Sequence, residues 1–148
     1  MNHTLRFIPA SSLSLESFAD LFTRSFENYF YPMNLTASMF SARLRFESLD
    51  LHHSVVLLVN DKPVGQATLG LRGDTAWCGG FGVIPEYRGQ GLSSALFDEF
   101  VKQAQEIKAK RLLLEVLVKN TTAQKVYTKA GLKHQHDLLL FEWKPQKP

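Results

Sequence analysis

At 148 residues the chain can bury one hydrophobic core and is short for two domains of ordinary size. Hydrophobic residues at 45% and charged residues at 21% give a globular balance, no apolar run nears the roughly 20 residues of a membrane span, and a net charge of +3 is too small to argue for nucleic acid. The first nine residues hold no apolar stretch suited to export, and Cys78, the single cysteine, excludes a disulfide within the chain, so a reducing cytoplasm is expected.

In chain order, Leu5–Ile8 reads as a first strand. Ser14 to Asn28 has helical spacing, with Leu15, Phe18, Ala19, Leu21, Phe22 and Phe26 on one broad face, and Tyr29-Phe30-Tyr31-Pro32 breaks it. Thr36 can cap a second helix carrying Met39, Phe40, Leu44 and Leu49. Ser54–Asn60 is an apolar strand, followed by a turn at Asn60-Asp61-Lys62-Pro63. Val64–Leu71 and Thr75–Ile84 form a hairpin around Gly73-Asp74. Leu92, Leu96, Phe100, Ala104 and Ile107 recur at helical spacing, and Arg111–Val118 is a strand. Asn120 or Thr121 can cap a last helix whose inner face is Ala123, Val126, Tyr127 and Ala130, stopped by Gly131. Leu138–Trp143 reads as a final strand, and residues 144–148 as a frayed end or a linker cut short.

The order β-α-α-β-β-β-α-β-α-β contains one strand–helix–strand crossover, at residues 75–118, so those two strands should run parallel while hairpins set the rest antiparallel. The expected fold is α/β (α+β): a mixed, mostly antiparallel central sheet with helices on both faces, as a single domain over residues 1–143.

The segment from Val83-Ile84-Pro85 through Arg88-Gly89-Gln90-Gly91-Leu92-Ser93-Ser94 carries the chemistry. It passes from a strand end through a basic glycine turn into a helix. Helix-start amides and the positive end of the helix dipole favour an anion, so the expected guest is a phosphate or pyrophosphate. Downstream, Lys102, Lys108, Lys110, Arg111, Lys119, Lys125, Lys129 and Lys133 outnumber Glu106 and Glu115, which suits a polyanionic small ligand as well as it suits a solvated face. Gly89-x-Gly91-x-x-Ser94 lies one residue from the dinucleotide fingerprint, but Pro85–Arg88 separate strand from glycine and there is only one crossover unit. A P-loop is excluded because no Gly-Lys-Ser/Thr occurs.

Arg88-Gly89-Gln90-Gly91-Leu92-Ser93 resembles motif A of the GNAT superfamily of N-acetyltransferases, Arg/Gln-x-x-Gly-x-Gly/Ala, with Ser93 in the place of Gly or Ala. Asn120, Ala123, Tyr127 and Gly131-Leu132 stand at the spacing of that family's next helix and strand start. The resemblance covers about residues 75–140 and implies an acetyl-CoA-dependent N-acetyltransferase acting on a primary amine of a small molecule or an amino terminus. It implies a coenzyme A site of Phe81, Gly82, Val83, Arg88, Gly89, Gln90, Gly91, Leu92, Ser93, Ser94, Asn120, Ala123 and Tyr127. Pantetheine would lie between parting strands beside Gly79, Gly80 and Gly82, with the Val83 amide serving an oxyanion.

It also makes Tyr127 the candidate general acid, where the residue alone would equally be a core tyrosine, and Asn120 a pantetheine contact as well as a cap. Many members carry a glutamate on the strand held here by Trp77-Cys78-Gly79-Gly80-Phe81; none stands there, which leaves Glu115 as the nearest base, with His134, His136 or a water chain as alternatives. Phe26, Tyr29, Phe30, Tyr31 and Trp77 are candidates for an acceptor pocket, set against a plain core role for most phenylalanines. No metal is expected, nor a nucleic-acid or membrane partner, and a homodimer is left open. The rival reading is a non-catalytic acyl-CoA-binding domain or the degenerate half of a tandem acetyltransferase.

Overall fold

The computed structural model describes residues 4–146, so Met1–His3 and Lys147–Pro148 of the expected domain and tail lie outside the described residues. Five strands form one sheet in the sequential order β1 (Leu5–Pro9), β2 (Leu49–Val59), β3 (Lys62–Arg72), β4 (Thr75–Val83) and β5 (Arg111–Leu113). The first four pair antiparallel, and β5 runs parallel to β4 as its helical crossover requires. The helices are α1 (Leu15–Ser25), α2 (Ala37–Phe46), α3 (Leu92–Glu106) and α4 (Thr121–Lys129).

Local chemistry sets these boundaries. Ser14, Thr36 and Asn120 each accept, through the side chain, a hydrogen bond from the backbone N–H three residues on, which caps α1, α2 and α4. Asn60 and Asp61 both hold positive φ, the conformation a two-residue hairpin between right-twisted strands needs. Residues 54–59 of β2 are buried without alternation because both faces of the sheet are covered.

One face packs on α1 and α2, where Phe18, Phe22 and Phe40 are fully buried and their rings meet 5.0 and 5.7 Å apart. The other packs on α3, where Phe97 meets Phe81 at 5.3 Å and Leu96 lies against Gly65. Strand alternation thus aims Gly80 and Gly82 at α1, and Phe81 at α3.

Three expectations need correction. Leu49 belongs to β2, because α2 stops at Phe46 and Ser48 takes φ +50°. The strand expected over 111–118 is paired only over Arg111–Leu113. Leu138–Trp143 forms no strand: residues 133–146 are exposed throughout, since no neighbouring strand supplies the hydrogen bonds that periodicity alone cannot. Among the described residues no helix is long and apolar enough to cross a membrane.

Candidate active site

β5 pairs with β4 only from Thr75↔Arg111 to Trp77↔Leu113, so the last six residues of β4 are held by β3 alone. The sheet parts there. The Ile84 N–H donates to the Val64 carbonyl at 2.8 Å, and antiparallel alternation then turns the N–H and C=O of Val83 away from β3, toward the parted side. The Val83 carbonyl is taken by the Arg88 Nε at 2.8 Å.

Beyond β4, a short 3-10 turn at Pro85–Tyr87 offsets the chain before Gly89 and Gly91, at φ +75° and +76°. A side chain at either glycine would be strained by its φ, and nothing lies within 4 Å of where the Cβ would stand. The turn is open on that side. No side chain caps α3, so its first amides, at Leu92, Ser93 and Ser94, keep their capacity to bind an anion. Arg88 is less free than the sequence suggests: besides Val83 it donates to the Ser25 carbonyl at 3.0 Å. It ties the end of α1 to the end of β4, and contributes charge to the turn from that anchored position. Gln90 donates to the Glu86 carbonyl across the same turn.

Tyr127 lies against Phe97 and Phe81, with ring centroids 4.9 and 5.8 Å away. Burial, followed by the neighbouring Cys78 and Tyr29 side chains, pushes its phenol above the ordinary range. Among the described residues its hydroxyl has no hydrogen-bond partner, yet no buried side-chain oxygen there lacks one. The hydroxyl must therefore open onto accessible space while the ring stays packed. Asn120 spends its Oδ1 on the Ala123 N–H, and its side chain also neighbours Tyr29, whose phenol is raised by burial, lowered by Asn120 and raised by Tyr31.

Tyr29 joins two groups. Its ring meets Phe26, Phe30 and Tyr31 edge-on at 5.2 Å, and a cavity of about 310 Å³ opens among Phe26, Glu27, Tyr29, Tyr31 and Met33. Phe26, Tyr29 and Tyr31 are thus brought together, and Tyr29 is near enough to Tyr127 to help raise its phenol. Trp77 is not part of this group. Six residues from Val83 along β4, about 20 Å at strand rise, it packs flat on Gly70 under Arg72. Glu115 is exposed beyond β5, with no ion pair among the described residues, and His134 pairs with Asp137 on the exposed segment after α4.

The sequence reading missed a buried polar chain beneath Gly80 and Gly82. Thr68 donates to Gln66 Oε1 at 2.7 Å, Gln66 donates to Ser25 Oγ at 3.1 Å, and Ser25 donates to the Phe22 carbonyl at 2.7 Å. A glutamine inside the apolar run of β3 was the available signal, since a buried amide needs partners. Among the described residues no group of three or more His, Cys, Asp or Glu could hold a metal.

Cys78 donates to the Gly80 carbonyl at 3.4 Å, and burial raises its thiol to about 12. Against an ordinary value near 8.5, its thiolate at pH 8 is rarer by roughly three orders of magnitude. Ellman's reagent should titrate far less than one thiol per folded chain within minutes and one per chain in guanidinium. Prompt reaction of the folded protein would show that the half-buried Cys78 thiol is not held protonated by its surroundings.

A model of the acetyltransferase (GNAT) family matches residues 15–132. A putative ribosomal protein bS18-alanine N-acetyltransferase of Bacillus subtilis (strain 168) is 36% identical over 80 residues, 54% of this chain and 53% of that protein, so the match spans about half the length of the relative. The ribosomal-protein-S18-alanine N-acetyltransferase of Escherichia coli superposes with TM-score 0.66 at 21% identity, covering 88% of this chain and 77% of the other. The aminoglycoside N-acetyltransferase AAC(6')-Iy, solved with CoA, superposes with TM-score 0.67 at 15% identity, covering 97% and 95%. At such identities the two superpositions speak for the fold.

Proposed function

The chain belongs to the acetyltransferase (GNAT) family, and from that premise we propose that it transfers an acetyl group from acetyl-CoA to a primary amine, of a small molecule or of an amino terminus. The observation that supports this most is the parted end of β4, where strand alternation turns the Val83 amide outward and Phe81, two residues back, carries the Tyr127 ring. The residues suit coenzyme A: an open glycine turn with uncapped α3 amides for the pyrophosphate, and an unpaired strand edge for an extended amide-bearing arm. When bound, acetyl-CoA supplies an activated acyl group and a thiolate leaving group.

In this reading Leu92, Ser93 and Ser94 donate backbone hydrogen bonds to phosphate oxygens, while Arg88 holds Val83 in position and adds positive charge. The Val83 N–H stabilises negative charge building on a carbonyl oxygen. Tyr127 passes its phenolic proton to the departing sulfur. Asn120 orders the start of α4, so that Ala123 and Tyr127 line the opening. Phe26, Tyr29 and Tyr31 receive the acceptor. Glu115, exposed and outside the aromatic group, fits relay of the amine proton to water better than a desolvated base. The Bacillus subtilis relative's name favours an amino terminus among the acceptors to be tried first.

Titration calorimetry with acetyl-CoA should give heat at tens of micromolar ligand, and Gly91→Val, which places a branched side chain at φ +76°, should weaken binding at least tenfold. Thiol release is then followed across alanyl peptides and small amines. Absence of binding overturns the cofactor assignment. Binding without release by any acceptor assigns the alternative, a non-catalytic acyl-CoA-binding domain.

A further inference from the structure

Among the described residues four polar side chains are buried, Ser25, Ser54, Gln66 and Thr68, and three of them form one hydrogen-bonded chain. Gln66 is fully buried in the apolar run of β3, where a leucine would pack without desolvating an amide. Its amide is fixed at both ends: Oε1 accepts from Thr68, and Nε2 donates to Ser25 Oγ. Gly80 leaves room for it, since an added Cβ there would stand 3.5 Å from Nε2 and 2.4 Å from the Phe22 ring. Ser25 is where three parts of the molecule meet. It is the last residue of α1, its hydroxyl donates to the Phe22 carbonyl, and its own carbonyl accepts from Arg88. The same guanidinium holds the Val83 carbonyl through Nε. Hydrogen bonds therefore run without a break from Thr68 through Gln66, Ser25 and Arg88 to the strand end that presents the Val83 amide.

We propose that Gln66 is a positioning residue, which through Ser25 and Arg88 sets the aromatic segment Phe26–Tyr31 at its working distance from the Val83 amide. A helix end leaves its last carbonyls without intrahelical partners and is the part of a helix most ready to open. Here that end leads directly into the acceptor aromatics. The N–H groups of Phe26, Glu27 and Tyr29 bond only to carbonyls three residues back, which shapes the turn but does not tie it to the sheet. Ser25 supplies that tie, to β3 through Gln66 and to the end of β4 through Arg88. A satisfied buried amide is directional where apolar packing is not. Gln66 meets neither substrate, being fully buried, and acts through Ser25.

The kinetic half of the test rests on the acetyl-transfer reading above; the hydrogen-exchange half does not. Gln66→Leu with Thr68→Val replaces both polar partners by apolar groups of similar size, so Tm should stay near that of the native chain. A merely structural amide would then leave everything else unchanged. Expected instead is exchange of the Phe26, Glu27 and Tyr29 amides faster by about tenfold or more, with α3 still protected. The Kd for acetyl-CoA, by calorimetry, should stay within about twofold while kcat with an alanyl peptide falls by about tenfold or more. Thr68→Val alone keeps the Gln66–Ser25 bond and should move exchange and kcat the same way by less; it decides the matter if the double variant does not fold. Unchanged exchange at 26–29 overturns the proposal, as does unchanged kcat or a Kd that worsens in step with kcat. A native chain that binds acetyl-CoA and acetylates no acceptor refutes the acetyl-transfer reading, and exchange by itself then decides whether Gln66 holds this segment.

Discussion

Tyr127→Phe should lower kcat by on the order of 100-fold or more while the Kd for acetyl-CoA stays within about twofold. The ring lies 4.9 Å from Phe97 and 5.8 Å from Phe81, contacts that phenylalanine keeps, so the change removes one oxygen and little packing. Among the described residues that oxygen has no hydrogen-bond partner and is not sealed off, which suits a group that gives a proton to a ligand. Burial raises its pKa first, and Cys78 and Tyr29 raise it further. The sign follows. An acid whose pKa is raised stays protonated to higher pH, so kcat/KM should climb as the acceptor amine deprotonates and show no falling limb below pH 10. Proton transfer from such a phenol to a thiolate is uphill, and the ammonium formed beside it on attack works in the opposite sense by favouring phenolate. A loss in kcat below about threefold would make Tyr127 a packing residue only. A falling limb near pH 8 would assign the proton to another group.

Gly82→Ala should be costly for both stability and turnover. Its Cβ would stand 2.6 Å from the Ser25 carbonyl oxygen, and backbone cannot turn aside as a flexible side chain can. Ser25 is also anchored: its carbonyl accepts from Arg88, its hydroxyl accepts from Gln66, and that hydroxyl donates to the Phe22 carbonyl. Relieving the clash means separating α1 from β4, with a penalty of about 1–3 kcal/mol and a fall in Tm of roughly 5 °C for a chain of this size. The same shift carries Val83, the next residue, out of line. A displacement near 1 Å at a reacting centre can cost on the order of 100-fold, so kcat should drop beyond tenfold. Gly73→Ala is the control. It has φ +59° and nothing within 4 Å of its Cβ, at the far hairpin, and should lower Tm modestly without touching kcat. Equal kcat losses in the two variants would show that general destabilisation, not displacement of Val83, is being read.

These two sites were legible to different degrees. Tyr127 could be singled out because Asn120, Ala123 and Tyr127 share one helix face and match a family spacing. Gly82 was legible as one of three strand glycines that the resemblance sets beside coenzyme A, but its packing was not. That it lies against the Ser25 backbone, above the Ser25–Gln66–Thr68 chain, depends on how α1 packs across β3 and β4. Trp77 shows the reverse. As an aromatic close in sequence to the glycine run it looked like part of a pocket, but a strand separates residues by more than 3 Å each, and Gly70 leaves a flat seat for its ring at the wrong end.

By itself the sequence determined the strand and helix order up to α4, the caps at Ser14, Thr36 and Asn120, the parallel crossover, and the family carried by the turn at Arg88–Ser93. These rest on local chemistry: periodicity, side-chain caps, and glycines where φ is positive. Only the tertiary structure decided that β5 pairs for three residues, leaving β4 open. It alone showed that Arg88 spends its guanidinium on Ser25 and Val83, that Glu115 is exposed and outside the lining of the aromatic cavity, and that Leu138–Trp143 pairs with no strand among the described residues. Each of these depends on which distant backbone group lies within about 3 Å. A strand's pairing and a guanidinium's partner are properties of the packed sheet and helices, and no window of the sequence contains them.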